Sequence, residues 1–176
     1  MLIRTLAAAA LAATFTLPVL AADSKGTVVV VGAGRSGTPL AKILLDEGYK
    51  VRVMVRDTSK ATELPAGAQK VQGDVTKPDT LAAGLKGADY VISTIGSTGD
   101  ALPEDVDFKG VGNLAKAAKA ANVKQMVLMS STSAGDTNPE TFLNKRRSMV
   151  LMWKGKGDQA LRESGVPYTV VRPGGL

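Results

Sequence analysis

Residues Thr27 to Asp57 hold the spacing best suited to chemistry, because Gly32-Ala33-Gly34-Arg35-Ser36-Gly37 directly follows the apolar run Val28-Val29-Val30-Val31. Each glycine answers a separate demand of dinucleotide binding. Gly32 permits a tight turn out of a strand, Gly34 lets the backbone approach a pyrophosphate, and Gly37 lets helix and strand pack closely. The helix N-terminus offers an anion its unpaired N–H groups and a partial positive charge. Composition closes off other chemistries. With no cysteine and no histidine, the chain lacks thiol nucleophiles, Ser-His-Asp triads and the commonest zinc ligands, and no metal site is expected.

Nicotinamide nucleotides are told apart at the end of the second strand, where a carboxylate pairs with a ribose 2′-OH and a guanidinium with a 2′-phosphate. Here Arg56 comes first and Asp57 follows. Arg35 adds a second guanidinium beside the same pocket, and bidentate phosphate contact suits arginine, which favours NADP. The other reading makes Arg56 a strand-end surface charge and lets Asp57 select NAD.

The elements that must position these residues follow a regular alternation. A helix carries Leu40, Ile43 and Leu44, and strands are expected at Lys50 to Val55, Gln69 to Asp74, Asp89 to Gly96, Gln125 to Ser131 and Tyr168 to Val171. Between them the spacing predicts helices over Pro78 to Leu85, Asp105 to Ala121 and Val150 to Ser164, the last closed by Gly165. Residues 134 to 140 read as a loop. Strands and helices in this rhythm imply an α/β domain with a Rossmann-like, doubly wound parallel sheet and helices on both faces. The chain stops on the connector Pro173-Gly174-Gly175, so either it is truncated or its substrate site is rudimentary.

Residues 1–22 have one early Arg4, an apolar stretch from Leu6 to Leu20, Pro18, and small Ala21 and Ala22, the pattern of a secretory signal peptide. That leaves 23–176 as one nucleotide-binding domain, exported to a bacterial periplasm, or cytoplasmic if the signal is not used. The apolar stretch is short for a transmembrane helix, so no stable membrane span is expected after cleavage. The net charge of +6 is spread along the chain, with Lys145-Arg146-Arg147 as a run that reads as a solvated face. Aromatics make up 4% of the chain, too few for base-stacking platforms, and no nucleic-acid partner is expected.

Beyond the glycine turn, three further blocks matter: Gly73-Asp74-Val75-Thr76; Val127-Leu128-Met129-Ser130-Ser131-Thr132; and Trp153-Lys154-Gly155-Lys156-Gly157-Asp158 leading to Arg172-Pro173-Gly174-Gly175. With these, residues 27–176 resemble the atypical short-chain dehydrogenase/reductases of the NmrA-like NAD(P)-binding group. The resemblance implies that Gly32, Gly34, Arg35, Ser36 and Gly37 hold the pyrophosphate and that Arg56 meets the adenosine ribose. It further implies that Asp74 and Val75 border the adenine, and that Ser93, Thr94 and Ile95 line the nicotinamide half. Lys154 takes the place of the family's active-site lysine, with Thr132 or Ser131 as the accompanying hydroxyl. For Asp74, a turn-forming role in Gly-Asp-Val-Thr stands beside the ligand role, and Trp153 reads as core packing.

One departure bears on activity. The wider family sets a tyrosine four residues before the lysine, whose charge lowers the tyrosine pKa for proton transfer. In this chain Val150 stands there. Two functions remain open: an NADP-dependent reductase passing hydride to a quinone, flavin or carbonyl acceptor, and a non-catalytic NADP-binding sensor or scaffold. Neither the substrate nor the oligomeric state can be read from the sequence.

Overall fold

The computed structural model describes residues 24–59, 61 and 63–174, so the expected signal segment lies outside the described residues. Six strands, β1 (Thr27–Val31), β2 (Lys50–Val55), β3 (Gln69–Gln72), β4 (Tyr90–Ser93), β5 (Gln125–Met129) and β6 (Tyr168–Val171), form one sheet in the order β3-β2-β1-β4-β5-β6. Every pairing is parallel. The order reverses between β1 and β4, the place where such sheets open a ligand crevice beyond their carboxyl ends.

Both faces of the sheet are covered, which explains why β1 is a continuous run of valines instead of an alternating strand. Val28 and Val30 pack with Val51, Val53 and Ala41 of α1 (Gly37–Asp46). Val29 and Val31 face the other side, where Met54, Leu85 of α2 (Leu81–Leu85), Leu114 of α3 (Val111–Ala120) and Leu161 of α5 (Val150–Glu163) build the larger core cluster.

β3, β4 and β5 stop two or three residues short of their expected ends, the helix expected over Pro78 to Leu85 opens with a 3-10 turn, Pro78–Thr80, and two further elements differ from the sequence expectation. The helix expected over Asp105 to Ala121 divides into a π-helical segment, Glu104–Gly110, and α3. The apolar positions Val106, Val111, Leu114 and Ala118 keep one buried face throughout, and that spacing alone does not distinguish a wide turn from a regular one. A short helix, α4 (Phe142–Arg146), precedes α5. Its Phe142 is 66% exposed, so no buried stripe announces it. No helix among the described residues is long and apolar enough to cross a membrane.

Candidate functional site

Three glycines of the β1–α1 turn act differently. Gly32 has φ +103, a left-handed conformation that suits glycine. A Cβ on Gly37 would stand 1.9 Å from the carbonyl oxygen of Gly32, so only hydrogen allows α1 to start this close to β1. A Cβ on Gly34 would meet nothing within 4 Å, since Gly34 faces open space. The loop after β4 crosses over this turn: Thr94 donates its backbone N–H to Val31 O at 3.0 Å, and its hydroxyl to Val31 O at 3.1 Å.

Between these loops lies a cleft of about 1020 Å³, at the upper end of ordinary small-molecule sites. Its walls bring together Gly32, Gly34, Arg35, Ser36, Arg56, Asp74, Val75, Thr94, Ile95, Ser131 and Lys154 from the sequence expectation. Gly37, Ser93 and Thr132 lie outside the lining. Gly37 is packing, Ser93 is fully buried in β4, and the Thr132 hydroxyl donates to Arg172 O at 3.2 Å.

At one end of the cleft, Arg56 stands exposed beyond β2. The neighbouring Asp57 carboxylate accepts both the backbone N–H and the hydroxyl of Ser59, at 3.0 and 2.6 Å. Asp74 behaves similarly, its Oδ1 accepting from Thr76 N–H and Thr76 Oγ1 at 2.9 and 2.8 Å, so the carboxylate organises its own turn. Val75 beside it is held by Asn113, whose Nδ2 donates to Val75 O at 2.9 Å.

At the other end, α5 begins with Val150, 3% exposed and facing the cleft, and Lys154 follows one turn later. Lys154 Nζ lies 2.8 Å from Asp107 Oδ1, with side-chain exposures of 19% and 1%. The second oxygen of Asp107 accepts the Ser97 N–H at 3.0 Å. Asp107 comes from the π-helical segment, a distortion that recurs at functional sites. Its main chain is clasped by α5, where a Cβ on Gly157 would come within 2.0 Å of Asp107 O. Gly155 similarly abuts Gly135 Cα, at 2.5 Å from its would-be Cβ. Lys-Gly-Lys-Gly-Asp is therefore a packing motif that sets Lys154 in place. Further along α5 the fully buried Asp158 is bound by Arg172 through Nε and Nη2, at 3.0 and 2.7 Å.

Asp107 had no place in the sequence expectation, Asp158 appeared there only as the end of a motif, and Arg147, read as part of a solvated face, lines the cleft. Asp107 belongs to an acid-rich stretch, Glu104-Asp105-Val106-Asp107, in which nothing separates the buried carboxylate from the exposed ones. Asp158 was within reach, because it follows Lys154 by four residues and so shares its helix face. Trp153 is not core: it stacks on Phe108 at 6.0 Å and 18°, with Lys156 Nζ 4.4 Å above its ring.

The arrangement offers an anion-approachable glycine turn, an exposed guanidinium and a half-buried lysine compensated by a buried carboxylate. Among the described residues there is no cluster suited to a metal ion. Residues 32–176 match the family model described as NAD(P)H-binding. The chain is 33% identical to protein TIC 62, chloroplastic, of Pisum sativum, over 88% of this chain but 34% of that one. It thus spans about a third of that relative's length. It is 32% identical to sanguinarine reductase of Eschscholzia californica, over 88% of this chain and 72% of that one. Among solved structures, the oxidoreductase ylbE from Lactococcus lactis superposes with a TM-score of 0.72 at 28% identity, covering 84% of this chain and 68% of that one. Its sheet, its glycine turn and these relatives make the chain a member of the NAD(P)H-binding, NmrA-like group of atypical short-chain dehydrogenase/reductases.

Proposed function

We propose that the chain is an NADP-dependent reductase that passes hydride from the nicotinamide to a small acceptor, a quinone, flavin or carbonyl compound. The observation that carries this reading is the single cleft running from the glycine turn to the Lys154–Asp107 pair. In this reading the glycine turn takes the pyrophosphate, with Arg35 and Ser36 beside it, and Arg56 takes the 2′-phosphate while Asp57 is engaged by Ser59. Asp74 and Val75 border the adenine, and Ser93, Thr94 and Ile95 back the nicotinamide. Lys154 and Ser131 face the reacting end, with Thr132 behind them. The nucleotide supplies the hydride, and the protein contributes position and electrostatics.

Titration with NADPH and NADH separates the parts of this reading. Wild type is expected to prefer NADPH, and Arg56→Ala to weaken NADPH by about tenfold or more while leaving NADH unchanged. Binding of neither nucleotide would sink the functional reading. An unchanged preference would sink the Arg56 assignment alone. NADPH oxidation against a panel of quinones, flavins and carbonyls then tests turnover.

A second reading, an NADP-binding sensor or scaffold without turnover, is favoured by Val150, which lines the cleft where the wider family has its proton-donating tyrosine. Binding without oxidation across the panel supports it. We also infer export from residues 1–22; a mature chain beginning near Asp23 is the expected result of amino-terminal sequencing, and an intact Met1 in the cytoplasm refutes it.

A further inference from the structure

We propose that Arg147 forms an anion subsite at the acceptor end of the cleft, so that the preferred acceptor is an apolar molecule with a carboxylate or sulfonate group. This rests on the reductase reading for its placement beside the acceptor.

Three independent features lead to it. The first is direction. Lys145, Arg146 and Arg147 are all exposed, but of the three it is Arg147 that lines the cleft, where its Nη2 donates to Ser97 O in the loop after β4. That one contact leaves most of the five guanidinium donors available.

The second is compensation. Lys154, the neighbouring cation on the cleft wall, is neutralised by Asp107. Arg172 is neutralised by Asp158. Arg147 has a carbonyl for its partner, and no carboxylate pairs with it among the described residues. An exposed guanidinium on a cleft that Ala101, Val106 and Val150 also line suits the planar, bidentate recognition of an anionic group on an apolar body.

The third is the backbone that aims it. Ser148 and Met149 both take left-handed conformations, φ 48 and 62, which side-chain-bearing residues adopt at a cost and only when the surroundings enforce it. The enforcing residue is Asn144, 2% exposed, whose Nδ2 donates to Asp136 O and Asn138 O at 2.9 Å each. Its Oδ1 accepts Leu151 N–H at 2.9 Å and its carbonyl accepts Met149 N–H at 3.0 Å. The turn that brings Arg147 to the cleft is thus held from both sides.

The test uses an isosteric pair, 2-naphthoate and 2-naphthamide, titrated calorimetrically into the full chain with and without saturating NADP⁺. Wild type is expected to bind the carboxylate about tenfold or more tightly than the amide. Arg147→Ala should erase that preference while amide and NADP⁺ affinities stay within about twofold. Arg147→Gln, which keeps a donor for Ser97 O, should do the same and guards against a loss of folding. No preference in wild type, an equal loss for both ligands, or weakened NADP⁺ binding in the variants overturns the proposal; the last result would assign the guanidinium to a cofactor phosphate. Carboxylate preference with no NADPH oxidation leaves the subsite standing and removes the reductase reading. Oxidation with no charge preference does the reverse.

Discussion

Gly34 and Gly37 are three residues apart and share a motif, yet the same methyl group should do opposite things to them. On Gly34 a Cβ meets nothing within 4 Å, so Gly34→Ala is expected to leave thermal stability unchanged and to weaken NADPH about tenfold or more by occupying the phosphate's approach. On Gly37 the methyl would lie 1.9 Å from Gly32 O, so Gly37→Ala should cost about 1–3 kcal/mol or more of stability. Paired melting and NADPH titrations of the two variants check this. Lys154→Met leaves the Asp107 carboxylate buried with the Ser97 N–H as its remaining contact, and should destabilise by about 3 kcal/mol. Adding Asp107→Asn should return part of that loss, measured as a coupling energy in denaturant unfolding. The glycines were legible in sequence because φ and close approach single out one residue type. Asp107 was not, because a buried acid and a surface acid are the same letter until packing chooses between them.

At the scale of elements, α5 is the piece that assembles the Lys154 end of the cleft. It presents Val150 and Lys154 to the cleft, and its glycines let it lie against the π-helical segment and the 134–135 turn. Gly157→Ala should force these apart. We expect a stability loss of about 2 kcal/mol, together with a lost Lys154–Asp107 contact visible as a weakened acceptor site in ligand titrations; Ala at the exposed Lys156 is the control. The strands were legible as segments, and β2 and β6 to the residue, but β3, β4 and β5 end two or three residues before their expected ends; the continuous apolar run of β1, buried on both faces, was the clearest signal. The π-helical segment and α4 were not legible. A widened turn arises from the fit between Asp107, Gly157 and Val75, contacts far apart in sequence, and α4 has too little buried surface to leave a pattern.

Across the whole molecule, Asp89 ties together strands that are distant in sequence. Its Oδ2 accepts the Thr27 N–H at the start of β1 at 2.8 Å, and its Oδ1 pairs with Lys124 before β5 at 2.8 Å. The Lys124 ammonium, and then the Thr27 N–H, hold the Asp89 carboxyl below its ordinary range. A carboxyl lowered on folding stabilises the native state above its unfolded pKa, and that contribution disappears as pH falls through the lower folded value. Denaturation midpoints should therefore decline on acidification across that window, and Asp89→Asn should flatten the decline. The parallel sheet followed from the alternation of strands and helices, whereas this clamp depends on where the turns end.

The bond between Arg172 and Asp158 also makes the residues just past β6 matter to the fold. The guanidinium that neutralises the deepest carboxylate on α5 is supplied just after β6, and Thr132 bonds to the same exit strand through Arg172 O and Pro173 O. A chain cut after Val171 keeps every strand and every helix, but it leaves an unanswered charge inside. It is expected to be insoluble or to unfold at markedly lower denaturant than a chain cut after Gly174. The counter-ion of the most buried carboxylate on α5 thus lies one residue past β6.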